Sequence, residues 1–156
     1  MLHRGWMIFA VVLLFTSGLL GFAQFGPAVA TNVKAPRLPD IMATAQTRHM
    51  KLYLAGKARN WDLADYELQL LRANIADAAL LYDDIPVSNV SKMVEPLNAA
   101  EEAIKAKDSR RFERTVSILT EGCNSCHQSM DRGFIVMRLP TEQPFGNQLF
   151  SPQAKK

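Results

Sequence analysis

The sequence predicts an all-α domain built as an antiparallel four-helix bundle, and three observations carry that prediction. Apolar residues recur at steps of three and four along four successive segments, the period of a helix with one buried face. Strand-like alternation of apolar and polar residues is hard to find. Short stretches holding Asn, Asp or Pro, the residues that cap and interrupt helices, separate the periodic segments. Four amphipathic helices joined so closely bury their stripes against one another.

The chain opens with a segment of another kind. Residues 1–30 carry His3 and Arg4, then an apolar run from Met7 to Ala23, then Ala28-Val29-Ala30. A basic start, an apolar middle and a small-residue end form the pattern of a secretory signal peptide, with cleavage expected after Ala30. The run also approaches the roughly 20 residues that span a bilayer, so a retained membrane anchor is the competing reading. Thr16, Ser17, Gly18 and Gly21 weaken that alternative. No cysteine follows the run, which excludes a lipoprotein. Residues 31–39 read as a linker, and the chain beyond the leader suits one domain. Removing the leader takes away only Arg4 of the 18 basic residues and none of the 15 acidic ones. So nearly neutral a chain gives no support to a nucleic-acid partner.

The bundle is expected over residues 40–133. Asp40 follows Pro39 as an N-cap, and Met42, Ala45, His49, Leu52 and Gly56 share one face of a first helix over about 40–57. Asn60 caps a second helix over about 61–82, whose stripe is Trp61, Ala64, Leu68, Leu71, Ile75, Ala78 and Tyr82. Asp83-Asp84-Ile85-Pro86 ends it. Val90, Met93, Leu97, Ala100 and Ile104 make a third stripe, with a kink or restart expected at Pro96, which has no N–H for the preceding turn. Asp108 caps the fourth helix, whose stripe runs through Phe112, Val116, Leu119, Cys123, Cys126, Met130 and Gly133. From Phe134 the prolines at 140, 144 and 152 break the period, so residues 134–156 are expected as an extended tail packed by Phe145, Leu149 and Phe150. Trp61 and Tyr66 are expected in the core, and the scattered Lys51, Lys57 and Arg59 on a solvated face.

Chemistry concentrates in Cys123-Asn124-Ser125-Cys126-His127, late in the fourth helix. This is the C-x-x-C-H pattern of c-type haem attachment. Two thiols at that spacing reach two vinyl groups of one porphyrin, and the next residue turns an imidazole towards the iron. Cys123 and Cys126 are the only cysteines, so no second pair exists for a structural disulfide or a four-ligand zinc site. A thiol redox motif has the same C-x-x-C core, but it follows a strand at the start of a helix, and no strand pattern precedes this one. One covalent haem c is expected, tethered through Cys123 and Cys126 with His127 as proximal ligand. Export supports this, because c-type haem is attached outside the bacterial cytoplasm; the expected compartment is the periplasm.

A secreted four-helix chain with its single C-x-x-C-H motif near the C-terminus resembles the cytochrome c′ class, over about residues 40–133. Arg48-His49-Met50-Lys51-Leu52, Asn60-Trp61-Asp62-Leu63-Ala64 and Pro144-Phe145-Gly146-Asn147-Gln148 look like a group of exported bacterial proteins of this kind. The chain departs from the class after the motif. Where the class carries an aromatic residue and then a basic one, this chain has Met130 and Asp131, with Arg132 one place late. A basic neighbour tuning the proximal imidazole is therefore not implied, and Arg132 reads as solvated or as reaching a propionate. Dimers through the first two helices are common in the class, so a homodimer is an expectation resting on the resemblance alone.

The sixth coordination position separates the functional readings that the resemblance implies. Filled by a first-helix side chain, it makes an electron carrier; left open, a binder of small gases such as NO or CO. The chain beyond the leader has two histidines, His127 and His49, and His49 lies at about the depth that faces His127 in an antiparallel bundle. Met42, two turns earlier on the same stripe, is the alternative ligand, and the two lie about 10 Å apart along the axis, too far to share one position. Met50 points about 100° away from His49, and Met93, Met130 and Met137 read as core fillers. A periplasmic electron-transfer cytochrome is the leading expectation, serving redox partner proteins, and a five-coordinate gas binder is the alternative. Enzymatic turnover is not expected, since His49 is the only obvious acid-base group near an open iron.

Overall fold

The structure is a computed structural model and describes residues 35–154. The signal-peptide reading of residues 1–30 and the first four linker residues, 31–34, lie outside the described residues. Four helices follow in order: α1 Leu38–Lys57, α2 Trp61–Leu81, α3 Val87–Lys105 and α4 Ser109–Ser129. No strand occurs among the described residues. No described helix is long and apolar enough to cross a membrane.

Three-residue turns join α1 to α2 and α3 to α4, and a five-residue loop joins α2 to α3. Each helix therefore reverses on its predecessor, as such short connections demand. α1 packs on α2, α2 on α3, α3 on α4, and α4 closes the ring against α1. The stripes meet inside that ring. Leu52, Ala64, Leu68, Leu71, Leu97, Ala100, Phe112, Val116 and Leu119 form one continuous core. Phe112 is fully buried and meets Trp61 edge-on, with ring centroids 5.8 Å apart. Gly56 lies against that ring, and a Cβ there would overlap the Phe112 ring carbons. One ion pair crosses the α1–α2 seam: Arg48 Nη1 lies 3.0 Å from Oε2 of Glu67, whose side chain is 2 % exposed.

The two tight turns share one construction. Arg59 and Lys107 adopt left-handed φ values of 58° and 52°. The next amides, of Asn60 and Asp108, donate back to Ala55 O and Ala103 O, while those of Arg59 and Lys107 donate to Gly56 O and Ile104 O. That is a Schellman closure with a non-glycine residue in the left-handed position. Asn60 and Asp108 then cap the following helix, accepting from the amides of Leu63 and Arg111. Two of the three caps expected from the sequence, Asn60 and Asp108, are therefore present.

Several boundaries differ from expectation. α1 starts at Leu38 with Arg37, not Asp40, as its N-cap residue. Pro39 fits the first turn, where its fixed φ is helical and its missing N–H has no intrahelical partner to lose. Asp40 instead pairs with Arg37 at 2.9 Å, next to the positive end of the helix. α3 begins at Val87 and runs through Pro96 without a restart. Pro96 is buried on the face that carries Met93, Leu97 and Ala100, so packing offsets its missing hydrogen bond. α4 ends at Ser129, leaving Gly133 outside it. In the tail Phe150 is buried and Phe145 packs on it, 5.9 Å between centroids, but Leu149 is 75 % exposed. Tyr66 is also exposed, because the α2 stripe passes through Ala64, Leu68 and Leu71 and leaves position 66 on the outer face. Lys51 holds its ammonium 4.9 Å from the Phe145 ring centre, and Lys57 pairs with Glu113.

Candidate cofactor site

At the end of the bundle where α1 begins and α4 ends, the core gives way to a cavity of about 300 Å³. Its walls are Ala45, Leu71, Ile75, Ala78, Val90 and Met93, supplied by the first three helices. Cys123, Cys126 and His127 form its α4 side, Met42 and His49 its α1 side, and Arg132, Ile135 and Met137 its border with the tail. A volume at the small end of the cofactor-pocket range, apolar walls and a few convergent polar groups are the usual form of a ligand site. Every residue singled out in the sequence as a ligand or tether lines this one space.

Helical spacing puts both thiols on the cavity face. Both cysteines are free. Burial pushes the Cys123 thiol up to about 11, with neighbouring Cys126 adding to the effect, and burial raises Cys126 as well. Redox-active thiols show the opposite behaviour, a depressed pKa at a helix N-terminus or beside a cation. Here the pair lies near the C-terminus of α4, where the helix dipole disfavours a thiolate.

His127 is oriented by the main chain. Its Nδ1 lies 2.8 Å from the carbonyl oxygen of Ile135. A carbonyl only accepts, so Nδ1 carries the proton and Nε2 keeps its lone pair, the arrangement that orients a metal-ligating imidazole. The chain reaches that position by a third Schellman closure: Asp131 has φ 55°, its amide donates to Gln128 O, and the Arg132 amide donates to His127 O at 2.7 Å. Arg132 is exposed at the cavity border and points its guanidinium at the carbonyls of Met130 and Asp131.

His49 is 2 % exposed and faces α4 at a different level. Its Nε2 lies 2.8 Å from Thr120 Oγ1, and that hydroxyl donates to Val116 O at 2.7 Å. The hydroxyl proton is thus used, so His49 donates from Nε2 and Nδ1 holds the lone pair. Burial alone depresses its pKa to about 4, which keeps the ring neutral at pH 7. This contact sets the register of the antiparallel pair. Seven residues back along α1 is Met42, and seven residues on along α4 is His127. Two turns keep each on the same face, so Met42 lies level with His127 and His49 lies level with Thr120.

Sequence reasoning missed three contributors. Thr120 and Asn124 are poor helix formers inside α4, and a side chain with work to do was the available signal. Asn124 holds Met137 by both main-chain groups. Ile135 acts through its carbonyl, which no side-chain pattern reveals. A second hollow of about 380 Å³ shares Gln46, His49 and Met137 with the first and is bordered by Arg138, Thr141 and Glu142.

Comparisons with protein-family models, with curated proteins and with solved structures find no match to this chain. The donor set has the composition a covalently attached haem requires: two un-ionised thiols at C-x-x-C spacing, an imidazole with its Nε2 lone pair free, and an apolar enclosure.

Proposed function

We propose that the protein is a monohaem c-type cytochrome of the periplasm that transfers electrons, with Cys123 and Cys126 as tethers, His127 as proximal ligand and a side chain of α1 on the opposite side. The observation that carries this reading is the convergence of C-x-x-C-H with an apolar cavity and a main-chain acceptor on His127 Nδ1. A haem supplies a one-electron iron couple when bound. The chain's own residues do the rest. Cys123 and Cys126, on one face of one helix, would hold the haem through thioether bonds, and the Ile135 carbonyl holds the His127 imidazole in one tautomer. Leu71, Ile75, Ala78 and Met93 exclude water, which lowers the local dielectric and so contributes to the potential.

The helix register favours Met42 over His49 as the second ligand, because Met42 is level with His127 while His49 is committed to Thr120 through Nε2. Methionine raises the potential relative to a second imidazole. The test is the visible spectrum of protein produced with the haem-attachment machinery, recorded ferric, ferrous and ferrous with carbon monoxide, for wild type, Met42→Ala and His49→Ala. The expected result is covalent haem with low-spin bands that Met42→Ala converts to high-spin and His49→Ala leaves low-spin. The reverse pattern would assign the ligand to His49 through Nδ1. A wild type that is high-spin and binds carbon monoxide at once would establish the gas-binding alternative, and absence of covalent haem would refute both.

A further inference from the structure

Beyond Met137 the tail packs on the core through Leu139, Phe145 and Phe150, but residues 132–137, which border the cavity, are held mainly by residues of the C-x-x-C-H motif. Phe134 is 80 % exposed and Val136 73 %, so this stretch has little apolar burial to keep it in place. Its anchors are polar. The Arg132 amide donates to His127 O, the Ile135 amide to Arg132 O at 2.8 Å, and Ile135 O accepts from His127 Nδ1. The remaining anchor is Asn124, between the two cysteines, whose Oδ1 accepts from the Met137 amide at 2.7 Å and whose Nδ2 donates to Met137 O at 3.0 Å.

Those two bonds satisfy both main-chain groups of one residue with a single planar amide. Aspartate at this position keeps the acceptor and loses the donor. Alanine loses both. Met137 lies two residues beyond the carbonyl that meets His127, so whatever fixes Met137 fixes the height of Ile135 O over the imidazole.

We infer that Asn124 is a positioning residue for the proximal ligand: it clamps the tail at Met137, and through the tail it holds the Ile135 carbonyl on His127 Nδ1. The inference rests on the reading of His127 as an iron ligand. A carbonyl on Nδ1–H makes the imidazole a stronger donor, which favours the oxidised metal. Weakening the clamp moves the reduction potential in the positive direction. Asn124 occupies a free position of the attachment motif, so its substitution leaves both tethers and the ligand in place.

The experiment compares haem-loaded wild type, Asn124→Ala and Asn124→Asp by three readouts: limited trypsin cleavage after Arg138, the reduction potential, and the nuclear magnetic resonance signal of the His127 Nδ1–H proton. Loss of two hydrogen bonds from a surface segment predicts roughly tenfold faster cleavage in Asn124→Ala. In Asn124→Ala the potential is expected to shift positive and the N–H proton to exchange faster, with Asn124→Asp between wild type and alanine in cleavage and N–H exchange. Should alanine fail to fold, the aspartate variant alone must show faster cleavage and faster N–H exchange. Faster cleavage with an unmoved potential and N–H signal would reduce Asn124 to a structural anchor and overturn the inference. Unchanged cleavage would overturn it at the first step. A wild type that carries no haem would refute the functional reading itself, a result distinct from either.

Discussion

His49 offers a sharp check on the register argument. The folded protein holds it neutral, its pKa depressed to about 4 by burial, with the ordinary value of 6.5 regained on unfolding. Between those values the unfolded chain binds more protons than the folded one. Stability therefore rises with pH through the window from 4 to 6.5, is fully present above it, and is lost as pH falls through it. At pH 4 the loss amounts to about 3 kcal/mol. The perturbation is His49→Gln, whose amide still donates to Thr120 Oγ1 and does not titrate. Urea denaturation of both proteins, followed by circular dichroism at pH 7 and pH 4, separates this from the carboxylates, which both share. The stability gap between wild type and variant should narrow by about 3 kcal/mol from pH 7 to pH 4. A gap constant with pH would mean that His49 is solvated or already charged, and the helix register drawn from its Thr120 contact would fall with it.

Other consequences concern packing, turns and thiols. Gly56→Ala should destabilise by about 2 kcal/mol although alanine is the better helix former, because the added carbon overlaps the Phe112 ring. Phe112→Leu in the same chain should recover part of that loss in thermal melts, and additivity of the two changes would refute the clash. Arg59→Gly should stabilise by about 0.5–1 kcal/mol through relief of the left-handed residue, and an unchanged melting temperature would count against strain there. In chain made without haem, iodoacetamide should modify Cys123 about a hundredfold more slowly than a free cysteine at pH 7.5, as a pKa near 11 requires. Rapid alkylation would restore a redox-dithiol reading.

The helices were legible because each is an amphipathic stripe with its punctuation in place. Asn60 and Asp108 cap the helices they precede, as their side chains and positions dictate. Where expectation failed, tertiary packing had overridden a local rule. Pro96 breaks helices in isolation but is carried by a buried face, and Pro39 extended α1 where a cap was expected to start it. The candidate site was legible in its side chains, since C-x-x-C-H, Met42 and His49 all reach one cavity. Its finer arrangement was not. A stripe running on to Gly133 suggests a longer α4, and its end at Ser129 puts His127 four residues closer to the helix end and so to the start of α1. With α4 ending at Ser129 and His49 meeting Thr120, the α1 residue two turns back, Met42, comes level with His127.

One turn geometry, used three times, explains how the chain leaves α4. At Ala58-Arg59-Asn60 and at Ala106-Lys107-Asp108 a left-handed residue closes one helix and the next residue caps another. At Met130-Asp131-Arg132 the same closure occurs, but the residue in the capping place is Arg132, whose side chain has no oxygen to cap the following amides. No further helix follows among the described residues. The chain leaves the turn extended, with its main-chain groups unpaired by any ladder, and such groups must find partners elsewhere. They find them on the helix they have just left: His127 Nδ1 for the Ile135 carbonyl, and the Asn124 amide for both groups of Met137. The absence of a cap at one position thus supplies the acceptor that orients the candidate ligand. Placing Asp at 132 with its carboxylate free to cap would compete for the same segment, and the site would lose its border before it lost its helix.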